Sequence, residues 1–378
     1  MIQKKITSHI YSLKDCHFSL LFVSLFFLLL NLFMMFSTSP ITGLSVYGDS
    51  YYFIKKTLFL GSVGLCALLC GLLFPLGYLK KLSPLFLISS FILLCLCFSV
   101  LGVSIGGAQR WLNLYVINLQ PVELVKFSLV LFFAIFMNNK HHQLQYFQKG
   151  ILPLLCIFIP FILLLLLQPD LGNTLLICLV LITLFFLSPL PLWQLCILCL
   201  SSLLTFIISV FFRPYQLDRI LTFLSPDLDP FGKAYHINQS LLSVGSGGLW
   251  GLGLGQSKLK FFYLPLQYSD FIYSIICEEG GFILGTLVIL FFLFFLLKCF
   301  TIAMRSQDYF QRYVVLGLGL FICYQAFINI AGVIALLPIT GIPLTFVSFG
   351  GSSLVSSLFY LGIILNISRL PHKRVRSV

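Results

Sequence analysis

Charge is scarce in this sequence. Asp, Glu, Lys and Arg make up 9% of its 378 residues, where a soluble domain carries about a quarter. Hydrophobic residues make up 59%, which leaves too little polar surface to cover a water-facing domain. An ordinary soluble enzyme is therefore excluded, and an integral membrane protein is indicated. A polar stretch long enough to fold separately is also missing, so 1–378 reads as a single membrane domain. The net charge of +12 does not point to nucleic acid, because in a membrane chain Lys and Arg set the orientation.

Other absences narrow the reading further. Cys66, Cys70, Cys95, Cys97, Cys156, Cys196, Cys199 and Cys323 sit in apolar runs, and no cysteine falls between Arg213 and Ser269. A disulfide framework is excluded, and Cys196-Ile-Leu-Cys199 is a membrane-helix spacing rather than a metal knuckle. No small-residue cleavage site follows Lys4, Lys5 and Lys14, so the first apolar run reads as an uncleaved helix. No internal repeat marks an inverted-repeat transporter. The Gly251–Gly255 alternation lacks the strand-turn-helix unit and ribose-binding acid of a dinucleotide fingerprint.

What remains is apolar sequence cut into lengths that cross a bilayer, about 20 residues each. The runs lie at roughly 18–37, 53–74, 84–105, 120–137, 151–167, 171–187, 192–212, 271–298, 313–335 and 346–367. They predict an all-α polytopic fold of about ten helices. Lys80, Lys81, Lys140, Lys149, Lys298, Arg305, Arg312 and the basic termini fall on one side. The positive-inside rule makes that side, and both termini, cytoplasmic. The acids fall opposite: only Asp15 and Asp308 are inside, while Asp49, Glu123, Asp170, Asp218, Asp227, Asp229, Asp270, Glu278 and Glu279 are outside or in outer helix halves. A large extracytoplasmic loop, about 213–270, separates helices seven and eight.

The outer face therefore carries the candidate chemistry. Gly245–Gly281 brings glycines, Lys258, Lys260, a Leu264-Pro265 step and three carboxylates to one bilayer face. Asp270 is the leading candidate. Its plain alternative is a helix N-cap, but Asp270, Ser274 and Glu278 are spaced to line one helix face, and carboxylates entering a membrane are costly. Glu123 and Lys126, three apart, can pair; they serve either a helix contact or a ligand. Arg110 stands where an anionic headgroup would lie, and Trp111 can anchor at the interface. Asp170, in Gln168-Pro169-Asp170-Leu171-Gly172, reads as a cap in a tight turn. Ser352 and Ser353 read as helix packing, and the role of Ser348 is open.

Several ordered blocks resemble the SEDS family (shape, elongation, division and sporulation proteins). They are GAQRW, QPVELVK from Gln120, QPDLG, the GSGGLWGLGLG–YLP–DFIY–EEGGF stretch, and LLPITGIPL–SFGGSS. They cover nearly the whole chain and look most like the division branch, while GAQRWL looks as much like the elongation branch, whose polymerase is the alternative within the family. The resemblance implies a peptidoglycan glycosyltransferase acting on lipid II, with a class B penicillin-binding protein and other division proteins as partners. It places the catalytic carboxylate at Asp270. It implies substrate contacts at Arg110, Trp111, Gln120, Glu123, Lys126, Lys260, Glu278 and Ser348, and a divalent cation (Mg or Mn) as a further source of charge stabilisation. The chain departs from the family at Tyr268-Ser269, where His-Thr is usual, and at Val122, Thr345 and Phe349. Two other readings are weighed: a lipid II flippase, motivated by charges within helices, and a non-catalytic division scaffold, motivated by Tyr268-Ser269.

Overall fold

The computed structural model describes residues 18–105, 108–113, 118–211, 214–225, 229, 232, 234–261 and 267–370. The basic termini, Asp15, Gly106, Gly107, Arg213, Asp227, Lys233 and the Leu264-Pro265 step lie outside the described residues.

Each expected apolar run contains a helix. They are α1 (Phe18–Thr38), α3 (Tyr52–Leu73), α4 (Leu76–Leu96), α5 (Pro121–Lys140), α6 (Leu152–Leu167), α7 (Leu171–Phe186), α8 (Leu192–Phe211), α11 (Ile272–Arg305), α12 (Tyr309–Val333) and α13 (Gly351–Ser368). In hydrocarbon the backbone must satisfy its own hydrogen bonds, which is why apolar length predicts helix so directly. Among the described residues α6 and α7 are the shortest of these, at 16 residues each; the helical turn Phe147–Ile151 extends α6 to a 21-residue span, and α7 stays short of one.

The third run differs from expectation. Its helix starts earlier, at Leu76, and takes in Lys80 and Lys81. Lys80 reaches out of the apolar zone: its Nζ lies 4.8 Å from the centre of the Phe310 ring and 3.8 Å from Asp308. The residues expected to complete that helix instead form β1 (Gly102–Ile105), which pairs antiparallel with β2 (Ala108–Asn113); β2 then pairs with β3 (Asn118–Leu119). This small sheet is an addition to the all-α expectation. Three short helices were also not anticipated: α2 (Pro40–Tyr47), and α9 (Pro214–Leu224) and α10 (Tyr235–Ser246) within the outer loop.

The core lies where α5, α12 and α13 meet. Their apolar windows are 78%, 83% and 72% buried, against 11% for α8 at the periphery. Helices α3 and α13 meet closely because glycine lies at the crossing. A Cβ on Gly362 would sit 2.2 Å from the Leu68 carbonyl, so the two backbones touch there directly.

Helix α11 is broken at Gly281, whose φ is +69°. The break frees two carbonyls and two amides, and the glycine-rich segment takes up all four. Leu252 N and Gly253 N donate to the Glu278 and Glu279 carbonyls at 2.9 and 3.1 Å. Phe282 N and Ile283 N donate to the Gly248 and Leu249 carbonyls at 2.9 and 3.3 Å. A buried kink needs this accounting. Gly251, at φ +82°, permits the approach, since a Cβ there would lie 2.1 Å from the Glu279 carbonyl.

Candidate active site

The outer loop returns to the bundle through a turn at 267–271. Backbone groups hold this turn from two sides. Asn329, on α12, donates from Nδ2 to the Asp270 and Ile342 carbonyls, both at 2.8 Å. Ser348 accepts from Leu344 N at 2.8 Å and donates to the Ser269 carbonyl at 2.5 Å. Phe349 N donates to the Tyr268 carbonyl at 2.9 Å. Position 271, not 270, caps α11. The Asp270 side chain is thus spared the capping role considered for it. Because α11 starts at Ile272, the expected face of Asp270, Ser274 and Glu278 does not form: Ser274 Oγ turns back to the Phe271 carbonyl at 2.6 Å.

Asp270 faces a cavity of about 630 Å³. No described residue hydrogen-bonds its carboxylate. Burial raises its pKa above the usual aspartate range, and the Arg219 and Arg110 charges pull the other way. The net effect is a carboxylate kept partly from water without direct pairing, which makes it a stronger base than a surface aspartate.

Cations surround it. Arg110, on β2, donates through Nη2 to the Pro169 carbonyl at 2.6 Å, and its Nη1 lies 3.7 Å from Asp170. Its Nε is buried without a hydrogen-bond partner. Asp170 does cap α7, accepting from Asn173 N at 3.2 Å and Nδ2 at 2.9 Å. Arg219, on α9, donates to the Ile339 carbonyl at 3.1 Å. At another wall Lys126 Nζ donates to Glu123 at 2.8 Å and to Gln325 Oε1 at 3.0 Å. Ser356 donates to the second Glu123 oxygen at 2.8 Å. This pair lies on α5, where a lone charge would be very costly, and each charge is met by the other and by a neighbouring polar side chain.

Trp111 and Gln120 complete the group of expected residues in the cavity wall, with Arg110, Glu123, Lys126 and Asp270. Three others fall elsewhere. Ser348 braces the turn from behind, as above. Lys260 and Glu278 belong to a separate buried cluster beside the α11 kink. There Glu278 accepts from Ser243 at 2.9 Å, Ser257 Oγ at 2.7 Å and Lys258 N at 2.8 Å. Lys260 Nζ donates to Glu279 at 3.2 Å and to the Gly255 carbonyl at 2.5 Å. Ser37 on α1 also donates to Glu279. This cluster seals the glycine-rich segment against α11, and it is not part of the cavity.

Sequence reasoning missed Asp218, Arg219 and Thr222 on α9, His236 on α10 and Asn173 on α7, all of which line the cavity. A signal existed for the first three. Their segment turns polar directly after the long apolar run of α8, and an 11-residue helix with one polar face can cover a cleft. Tyr268, at the family's histidine position, lies outside the cavity wall: its ring packs 4.5 Å from Phe53 and 5.9 Å from Phe349, centre to centre. Among the described residues no three His, Cys, Asp or Glu side chains converge as a metal site.

Comparison with known proteins gives the same picture from outside. The model of the FtsW, RodA and SpoVE family, described as cell cycle proteins, matches residues 18–373. The chain is 37% identical over 350 residues to the probable peptidoglycan glycosyltransferase FtsW of Wigglesworthia glossinidia brevipalpis, covering 90% of this chain and 91% of the other. It is 35% identical over 351 residues to the stage V sporulation protein E of Bacillus subtilis, covering 93% and 96%. Among solved structures, it is similar to a chain of a peptidoglycan synthase complex that coordinates polymerization and crosslinking (TM-score 0.79, 25% identity, covering 94% and 98%). It also shares the fold of the rod shape determining protein RodA of Thermus thermophilus (TM-score 0.70, 23% identity, covering 94% and 97%).

Proposed function

The chain belongs to the FtsW, RodA and SpoVE family and is a peptidoglycan glycosyltransferase with a multi-pass membrane fold; we propose that its reaction takes place at Asp270, with lipid II as substrate. The observation that carries this reading is the Asp270 carboxylate itself. It has no hydrogen-bond partner among the described residues, and it shares one cavity with Arg110, Arg219 and Lys126.

The chemistry follows from those charges. The 4-hydroxyl of the acceptor sugar attacks the anomeric carbon of the donor sugar. Asp270 takes the hydroxyl proton as the new carbon–oxygen bond forms. The bond to the lipid diphosphate breaks, and displacement from behind inverts the anomeric centre. The leaving diphosphate is already an anion, so it needs cations rather than a protonating acid. Arg110 and Arg219 provide them on the Asp270 side. Lys126 already holds Glu123 and Gln325, and it contributes a fixed positive wall. With Glu123 committed to Lys126 and Ser356, Asp270 and Asp218 are the described cavity carboxylates that would hold a divalent cation beside the substrate diphosphate, where it would add charge stabilisation. No step of this mechanism passes through a metal.

The partner is a class B penicillin-binding protein, a reading supported by similarity to a chain of a peptidoglycan synthase complex. Likewise, the basic residues on the short inner loops support a plasma-membrane protein with both termini cytoplasmic, and the FtsW relatives support action at the division site with the other division proteins. The flippase reading rested on charges within helices, and each of these is enclosed by partners. The scaffold reading rested on Tyr268-Ser269, yet the turn still delivers Asp270 to the cavity.

The test is glycan polymerisation from purified lipid II by the chain copurified with its penicillin-binding partner. Asp270→Asn is expected to fold and insert normally and to lose about 10²–10⁴-fold in rate. Native polymerisation by that variant would remove Asp270 from the mechanism.

A further inference from the structure

Among the residues of the cavity wall, His236 is assigned no part by the mechanism above. It lies on α10, is exposed to the cavity, and lines the same wall as Asp270. Its ring stacks nearly parallel on Phe271, with 6.2 Å between centres and 18° between planes. Phe271 directly follows Asp270, so the stack couples the histidine to the turn that carries the carboxylate. Neither ring nitrogen hydrogen-bonds to any described residue. Partial removal from water, with Arg219 nearby, lowers its pKa below the usual imidazole range. The ring is therefore neutral at neutral pH, with one donor nitrogen and one acceptor nitrogen.

Few side chains of this wall offer that pairing; Gln120 and Thr222 also do, and neither adjoins the turn that carries Asp270 as the His236–Phe271 stack does. Arg110, Arg219 and Lys126 only donate, and the ionised carboxylates only accept. The Asn173 amide and the Ser353 hydroxyl are engaged by Asp170 and Gln325. A sugar hydroxyl both donates and accepts, and a neutral imidazole matches both functions. Among the described residues the ring face of His236 meets protein, on Phe271, and both nitrogens are left to the cavity.

We propose that His236 is a substrate-contacting residue that binds a hydroxyl of the acceptor sugar and holds it in register with Asp270. This rests on the glycosyltransferase reading for the identity of the sugar. The contact itself is a separate property of the cavity.

Two variants test it. His236→Phe keeps a ring face for Phe271 and removes both nitrogens. His236→Gln keeps a neutral donor and acceptor. Polymerisation is measured with the chain in complex with its penicillin-binding partner. Lipid II binding is measured separately in an Asp270→Asn background, so that turnover does not consume the ligand. His236→Phe is expected to raise KM about tenfold with a smaller change in kcat, and to weaken lipid II binding about tenfold. His236→Gln should recover most of that loss, a rescue that a stacking role alone would not show. The proposal is overturned if His236→Phe binds lipid II as the parent does, or if His236→Gln is impaired as severely as the phenylalanine variant. A native complex that makes no glycan, while His236→Phe still weakens lipid II binding, would sink the glycosyltransferase reading and leave the contact standing.

Discussion

Asp270 and the Glu278–Glu279 pair lie eight and nine positions apart, at the entry of one helix, and the structure treats them in opposite ways. Glu278 and Glu279 are each 1% exposed. They are met by Ser37, Ser243, Ser257, Lys260 and backbone amides. Asp270 is partly buried, and its carboxylate has no hydrogen-bond partner among the described residues. Burial of a charge is therefore a poor sign of function by itself. Both deeply buried glutamates are tied to protein, Glu278 through both oxygens and Glu279 through Oε1, and they close a kink. The one left without a direct partner faces a cavity lined with cations. A charge kept from water without neutralising bonds is costly, and a site that must accept a proton is where that cost is functional.

The largest expected effects divide these regions cleanly. Lys260→Met leaves Glu279 buried without its cation, which should cost about 3–5 kcal/mol of stability. Thermal unfolding of the purified chain would show it, while each folded molecule still polymerises glycan. Asp270→Asn should do the reverse, with full stability and almost no polymerisation. A Lys260→Met chain that unfolds normally but makes no glycan would return Lys260 to the active site and collapse the distinction.

A smaller effect is expected at Arg219. Replacing it with Gln removes one cation from beside the leaving diphosphate and should lower kcat about 10²-fold. An unchanged kcat would assign that work to Arg110 alone. The smallest effect is a shift in pH dependence. Asp270 acts as a base only when ionised, and its pKa is raised. As pH falls, kcat/KM should therefore decline at a pH above the ordinary aspartate range. Arg219→Gln removes a charge that opposes this rise, so the decline should begin at higher pH still. A limb that stays fixed in the variant would mean that the proton titrating there is not on Asp270.

Much of this was readable in one dimension. Every span was visible as an apolar run, and Asp170 as the cap of α7. Arg110, Trp111, Gln120, Glu123, Lys126 and Asp270 all reach one cavity. The misplaced residues share a feature. Lys260 and Glu278 looked like site residues because they lie in the same polar interval as Asp270, but their partners come from α1 and α10. The outer loop hid α9 and α10, because short amphipathic helices carry little signal beside spans of 20 or more residues.

The sequence by itself determined the membrane class, the helices and their order, and it singled out Asp270 as the candidate carboxylate. Hydrocarbon forces backbone hydrogen bonds to close within each segment, so local composition was enough. Only the tertiary structure decided which buried charges are neutralised. Ser37 reaches the Glu279 carboxylate across 242 positions, while Asn329, 59 positions from Asp270, holds only its backbone carbonyl and leaves the carboxylate to the cavity. Whether a carboxylate becomes a rivet or a base depends on such distant partners, which local sequence does not specify.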